Sequence, residues 1–170
     1  TFQLIRLFPK LTILENMLLA EPHIPEQLLY SLLKRKEIQK KEEKAKEKCL
    51  DYLELVHMKE YTQKRAEQLS YGQQKLVEIA RCLATDSELI LLDEPVAGIN
   101  PSVRDQLEGI IKQIKKRGKT ILFIEHDMKF VLNIAEKIIV LDHGKEIAVG
   151  TPESIKKNPY VLKAYIGEEI

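Results

Sequence analysis

The sequence has little cysteine, no tryptophan and no long uninterrupted apolar run. Its two cysteines, Cys49 and Cys82, lie far apart without the spacing of a metal site, so we expect reduced thiols. No run approaches about 18 apolar residues, so no segment is expected to cross a bilayer. Lys and Arg (27) nearly balance Asp and Glu (26), and with a net charge of +1 we predict no nucleic-acid partner.

Helical patterns dominate the first half of the chain. With 170 residues and 44% hydrophobic content, the chain is long enough for one compact domain with a core. Thr12 and Glu15 have the spacing of a capping box, Ser70 is a suitable N-cap, and Asn100 precedes a proline suited to a helix start. The pattern predicts helices over residues 12–20, 28–56, 70–84, 100–118 and 127–136.

Two apolar segments are predicted to be neighbouring strands. Residues 89–92 and 120–124 lack polar alternation, which is typical of parallel strands buried on both faces. The helix between them makes a βαβ unit, whose crossover should be right-handed. We therefore expect an α/β fold, with a helical subdomain in residues 1–84 and a sheet-bearing core in residues 85–170. The remaining strands are predicted over residues 137–141 and 146–149.

Acidic and imidazole side chains follow these two strands. Asp93 and Glu94 end the first, and Glu125 and His126 follow the second. Because ligands of open α/β sheets bind outside the carboxyl ends of strands, we expect these side chains to meet. One acid could hold Mg²⁺ through water, its neighbour could polarise an attacking water, and the histidine could contact a phosphate. For an isolated Asp-Glu pair, a solvated strand end would be the better interpretation.

The turn before the helix at residues 70–84 has features of an anion site. Ser70 and Gly72 open that helix, whose free N–H groups and positive dipole end can meet a phosphate. Gly72 lets the backbone approach an anion closely, and the Ser70 hydroxyl can add a hydrogen bond. A plain N-cap and turn is the alternative interpretation, and both can hold at once.

Taken in order along the chain, these segments resemble the motifs of ATP-binding-cassette (ABC) ATPases. Residues 69–74 (Leu-Ser-Tyr-Gly-Gln-Gln) resemble the signature motif, residues 89–94 the Walker B strand, and residues 97–100 the D-loop. His126 aligns with the switch histidine, and Gln3 with the glutamine of the Q-loop. The resemblance implies a partial P-loop NTPase fold, with a mostly parallel sheet flanked by helices.

A narrower resemblance points to the ATPase subunits of branched-chain amino-acid importers. It rests on residues 1–3, 6–8, 11–16, 70–81 and 164–169. It implies a transport-coupled ATPase that binds ATP and Mg²⁺ and works head-to-tail with a second ABC ATPase subunit. It also implies a cytoplasmic protein, held peripherally at the cell membrane by integral-membrane permease subunits.

The resemblance implies a role for each matching residue. Glu94 would be the general base, and Asp93 would hold Mg²⁺ through water. His126 would contact the γ-phosphate, and Gln3 would sense the metal ion and the attacking water. Ser70, Gly72 and Gln73 would bind the γ-phosphate of ATP held mainly by the opposite subunit. Asn100 is also expected among the ATP-binding residues.

The sequence departs from the family pattern in three places. It contains no G-x-x-x-x-G-K-[ST] loop, whose N–H groups and lysine cradle phosphates, so we expect a truncated chain that does not hydrolyse ATP appreciably alone. Such a chain should expose sheet edge and core surface that the missing strands would cover. Tyr71 replaces the usual first glycine of the signature, and Asn100 stands where many D-loops have aspartate.

Two other functions are compatible with parts of the pattern. The missing loop would suit a non-catalytic fragment that supplies only the signature face and a permease-docking surface. DNA-repair and chromosome-structure ATPases share the signature and Walker B motifs, but they insert long coiled coils. The charged residues 34–48 are predicted to form a solvated helix without heptads, and the balanced charge disfavours DNA.

Overall fold

The computed structural model describes residues 7–22 and 35–166. Gln3 and the first part of the helix expected from residue 28 therefore lie outside the described residues. The described chain forms two compact units, which divide between Ile124 and Glu125. The proposed subdomain boundary after residue 84 stays a prediction.

The described helices and strands lie close to the positions that the sequence predicts. The first unit contains α1 (Ile13–Leu18), α2 (Arg35–Leu55), α3 (Tyr71–Ala84), β1 (Leu89–Asp93), α4 (Pro101–Lys116) and β2 (Thr120–Ile124). The second unit contains α5 (Met128–Ile134), β3 (Ile138–Asp142), β4 (Lys145–Gly150), α6 (Pro152–Lys156) and α7 (Pro159–Val161). Short 3₁₀ turns lie at Lys59–Tyr61 and Ala66–Gln68, and a π turn at Leu162–Ile166. The expected α/β class is confirmed.

Side-chain caps define where the helices begin. The Thr12 hydroxyl accepts the N–H of Glu15, and the Glu15 carboxylate accepts the N–H of Thr12 at 2.7 Å, which confirms the capping box. This backbone N–H holds the pKa of the Glu15 carboxyl below its usual value. Ser70 forms the same reciprocal capping box at the start of α3, whereas the Asn100 and Asp127 side chains each accept one N–H at the starts of α4 and α5.

The core of the first unit lies on two sides of α3. Helices α1 and α2 pack against α3, and α4 packs against α3 and β2. The buried residues that α3 contributes are Leu76, Val77, Ile79, Ala80, Leu83 and Ala84. Those of α4 are Leu107, Ile110, Ile111 and Ile114. Their recurrence every three or four positions explains why these segments fold as amphipathic helices.

A charge cluster joins three segments of this unit. The Lys48 ammonium of α2 donates to the Glu21 carboxylate at 2.8 Å, to the Asp86 carboxylate and to the Ala84 carbonyl. Burial opposes the charged form of Lys48, but the two carboxylates outweigh it and raise the Lys48 pKa. Asp86 lies in the turn between α3 and β1, where it has φ +60°, so its contact with Lys48 joins that turn to α2.

The strands β1 and β2 correct one sequence prediction. They pair in parallel, with Leu89 opposite Thr120 and Asp93 opposite Ile124, as expected for a βαβ unit. Burial on both faces is wrong, because alternate side chains are exposed. The exposed fractions are 51% for Leu89, 49% for Leu91, 57% for Leu122 and 68% for Ile124. Helix α4 packs against β2, whereas these four apolar side chains stay exposed, so the expectation of exposed core surface is confirmed.

The second unit is built around an antiparallel hairpin. Strands β3 and β4 pair around His143 and Gly144, which both have positive φ in the connecting turn. Helices α6 and α7 pack against β4 and bury Ile155 and Val161. Across residues 7–22 and 35–166, no helix has both the length and the apolar composition needed to cross a membrane.

Cysteine reactivity tests the packing between α1, α2 and α3. Cys49 is fully buried, and this burial raises the pKa of its thiol to about 11 from an ordinary 9.0. Since only the thiolate reacts, alkylation of folded protein by iodoacetamide at pH 8 should be about 100-fold slower at Cys49 than in guanidinium. The rate should rise about tenfold per pH unit up to pH 11. Equal labelling of folded and unfolded protein would show that this packing is wrong.

Candidate functional site

The predicted signature residues form the N-terminus of α3. The Ser70 hydroxyl accepts the N–H of Gln73 at 3.4 Å, and the Gln73 side-chain oxygen accepts the N–H of Ser70 at 3.0 Å. The Gln74 amide donates to the carbonyls of Ala66 and Leu69 at 3.0 and 3.2 Å. The plain N-cap interpretation is therefore confirmed, while phosphate binding by the same residues stays a prediction.

Two glycines allow close approaches around this helix start. A Cβ at Gly72 would lie 3.2 Å from a methyl group of Val103, so the glycine lets α3 and α4 come together. Gly98 has φ +71°, and a Cβ there would lie 3.2 Å from the Tyr71 ring. The loop after β1 thus passes directly against the residue that replaces the first glycine of the signature.

The acidic end of β1 has an unusual backbone. Asp93 is the last residue of the strand, and Glu94 follows with φ +43°, in the left-handed region that non-glycine residues rarely adopt. The Glu94 N–H donates to the Ile124 carbonyl at 2.9 Å, which extends the pairing of β1 with β2 by one bond. A non-glycine residue in this backbone conformation lowers the stability of the folded state by about 1–3 kcal/mol. Such residues cluster at functional sites.

The sequence did not predict that Lys75 joins the start of α3 to the loop after β1. The Lys75 ammonium donates to the Ala97 carbonyl at 2.9 Å and to the Glu94 carbonyl at 3.0 Å. It also lies 5.4 Å from the centre of the Tyr71 ring. A single lysine after the signature carries no pattern that would have revealed these contacts.

An open cleft of about 300 Å³ lies where the start of α3 meets the loop after β1. Its lining residues are Tyr71, Lys75, Glu94, Ala97 and Gly98. The structure thus brings the start of α3, the predicted general base Glu94 and the D-loop at residues 97–100 to one place in the first unit.

Asn100 and His126, two further predicted site residues, lie in different units of the chain. The Asn100 side chain accepts the N–H of Val103 at 2.9 Å and so caps α4. His126 belongs to the second unit, where its side chain is 72% exposed. The buried Glu125 carboxylate accepts the N–H of His126 at 3.1 Å and thereby shapes the turn that carries it. The predicted meeting of His126 with Asp93 and Glu94 stays a prediction.

The acidic pair suits a metal ion that arrives with a nucleotide. In the described part of the chain, no three His, Cys, Asp or Glu side chains converge as a metal cage. Mg²⁺ in nucleotide sites is usually held by one or two carboxylates together with phosphate oxygens and water. Adjacent carboxylates at Asp93 and Glu94 fit that donor set, with Asp93 as the candidate ligand.

The family models and the fold agree on one class of protein. The model described as ABC transporter matches residues 1–97, and the model described as branched-chain amino acid ATP-binding cassette transporter matches residues 145–170. A crystal structure of the ADP conformation of an ABC transporter's ATP-binding cassette is 36% identical, with a TM-score of 0.75. The alignment covers 94% of this chain and 64% of that one. The chain therefore belongs to the ABC transporter family.

The curated relatives define the branch more narrowly. The high-affinity branched-chain amino acid transport ATP-binding protein BraF of Pseudomonas aeruginosa is 42% identical over 170 residues. The protein of the same description named LivG, from Escherichia coli, is 41% identical over 170 residues. Each alignment covers 99% of this chain and 67% of the relative, so the chain spans about two thirds of their length.

The contact between Gly98 and Tyr71 can be tested by substitution. Gly98→Ala should lower the free energy of unfolding by about 1–3 kcal/mol, because the new Cβ meets both a positive φ and the ring. Gly118→Ala is the matched control, since Gly118 has φ +81° but nothing within 4 Å of a Cβ. Urea denaturation should give the smaller loss for Gly118→Ala. Equal losses would show that the ring contact contributes nothing.

Proposed function

We propose that this chain is part of an ATP-hydrolysing subunit of an importer, which couples ATP hydrolysis to the transport of branched-chain amino acids. The observation that carries the proposal is the cleft in which the start of α3 meets Glu94 and the D-loop. The descriptions of BraF and LivG supply the substrate class. The phosphate-binding loop required for such activity does not occur in these 170 residues, so the chain alone is expected to be inactive.

The acids at the end of β1 would carry the hydrolytic chemistry. Bound Mg-ATP supplies the γ-phosphoryl group and the neutralising metal charge. Asp93 would hold a water of the metal ion, while the Glu94 carboxylate would orient the attacking water and accept its proton. The backbone of Glu94, anchored on Ile124, would keep that carboxylate at the strand end. Gln3 would sense the metal ion and the attacking water, and His126 would contact the γ-phosphate.

The N-terminus of α3 would act on a different nucleotide. Ser70, Gly72 and Gln73 present a helix N-terminus whose dipole favours an anion. In a head-to-tail pair, this end would bind the γ-phosphate of ATP held mainly by a second ABC subunit, with Asn100 nearby at the start of α4. ATP would thereby join the two subunits, and its hydrolysis would release them.

The partners and location follow from the same proposal. The ATP-binding pair would attach to integral-membrane permease subunits and so act at the cytoplasmic face of the cell membrane. Selection of the transported amino acid would belong to the permease and its binding protein, because the chemistry described here acts only on ATP.

Removal of the Glu94 carboxylate tests the proposed general base. In a full-length subunit that carries these residues with a phosphate-binding loop, Glu94→Gln should lower the ATP turnover rate by about 10²–10⁴-fold. Glu88→Gln, the same change beside the opposite end of β1, should leave turnover near that of the unchanged protein. Phosphate release at saturating Mg-ATP measures both. Turnover retained in Glu94→Gln would remove Glu94 from the role of base.

A further inference from the structure

We propose that Lys75 is a positioning residue for ATP hydrolysis. Its ammonium group holds the backbone of Glu94 and the D-loop against α3. This inference rests on the proposed function but concerns a residue to which the family resemblance assigned no role. Lys75 lies one turn into α3, and its ammonium reaches the segment after β1 at residues 94–97. We call this segment the β1 exit loop.

The contacts of Lys75 are directed at main-chain atoms of the β1 exit loop. An ammonium group has three N–H donors and no acceptor, so converging carbonyl oxygens suit it. Two of these carbonyls, of Ala97 and Glu94, accept at 2.9 and 3.0 Å, and Pro95 adds a longer contact at 3.5 Å. Hydrogen bonds from a charged donor are stronger than neutral ones, and here they bind a loop that has no regular secondary structure of its own.

The backbone conformation of Glu94 explains why these hydrogen bonds from Lys75 matter. Its positive φ is unfavourable, and such a conformation persists only where its surroundings over-determine it. The Glu94 N–H is held by Ile124, while its carbonyl accepts both the Ala97 N–H and the Lys75 ammonium. Lys75 therefore completes the set of bonds that fixes the peptide groups on both sides of the predicted base.

A contact between Tyr71 and Gly98 also joins the start of α3 to the D-loop. The Lys75 ammonium lies near the Tyr71 ring, and the ring packs against Gly98 within the D-loop. A shift of the α3 N-terminus would consequently move the β1 exit loop. Because the signature end and the base are proposed to serve different nucleotides, this link lets occupancy of one site reach the other.

The charge of Lys75 also suggests a competing role. A cation near a helix N-terminus could contact a phosphate directly, and the two roles predict different kinetics. Loss of a direct phosphate contact would chiefly raise the KM for ATP. Loss of positioning would chiefly lower kcat, because displacement of a catalytic group by about 1 Å can cost roughly 100-fold in rate.

The test compares Lys75→Met, Lys75→Arg and Lys112→Met in the full-length subunit assembled with its permease. Lys112, an exposed lysine of α4, is the matched control. We expect Lys75→Met to lower kcat roughly 10- to 100-fold with little change in KM. Lys75→Arg should retain more of kcat than Lys75→Met, because arginine keeps the positive charge and N–H donors even though its planar fork differs from an ammonium group. Lys112→Met should behave as the unchanged protein.

Hydrogen exchange provides a readout that does not require turnover. In Lys75→Met, the amides of Glu94 and Ala97 should exchange roughly tenfold faster or more, while those of α4 keep their protection. Unchanged exchange there, a kcat within about twofold of normal, or an effect confined to KM would overturn the inference. If the unchanged transporter does not hydrolyse ATP, the proposed function fails, and the exchange result still decides whether Lys75 holds the loop. If Lys75→Met does not fold, Lys75→Gln takes its place under the same criteria.

Discussion

The first unit depends on the two-sided packing of α3. One side of this helix is buried against α1 and α2, and the other meets α4, which in turn covers β2. Residues such as Leu76 and Leu83 are almost fully buried, and burying a side chain of that size contributes about 1.5–3 kcal/mol. The same helix therefore carries the stability of the unit and determines where its N-terminus points.

This packing has a functional consequence at the start of α3. Gly72 permits contact with Val103 of α4, and the Tyr71 ring lies on Gly98 in the loop after β1. Lys75 adds hydrogen bonds to that loop from the next turn of the helix. A helix end suited to anions and a strand end bearing carboxylates are thus joined by the same contacts. Because the two ends are proposed to act on separate nucleotides, we propose that these contacts couple them.

Local features of the site and fold were predictable from sequence, whereas relations between segments were not. The caps at Thr12, Ser70 and Asn100 follow from residue type and spacing, because each side chain accepts the N–H of the residue three positions further on. The expected burial of Leu89 and Leu91 was wrong because an apolar run does not say which faces are covered. The contacts of Lys75 could not be predicted from sequence, because its carbonyl partners lie 19 to 22 positions further along the chain.

We propose that the N-terminus of α3 binds the phosphate of ATP held by a second subunit. Sedimentation of the full-length Glu94→Gln subunit with Mg-ATP, with and without Ser70→Asp, tests it most directly. Aspartate preserves the N-cap of α3 but places a negative charge where the phosphate would bind. Thr12→Asp makes the same kind of change at the α1 cap. We expect an ATP-dependent dimer that Ser70→Asp abolishes and Thr12→Asp preserves. Dimerisation unaffected by Ser70→Asp would contradict phosphate binding at this helix end.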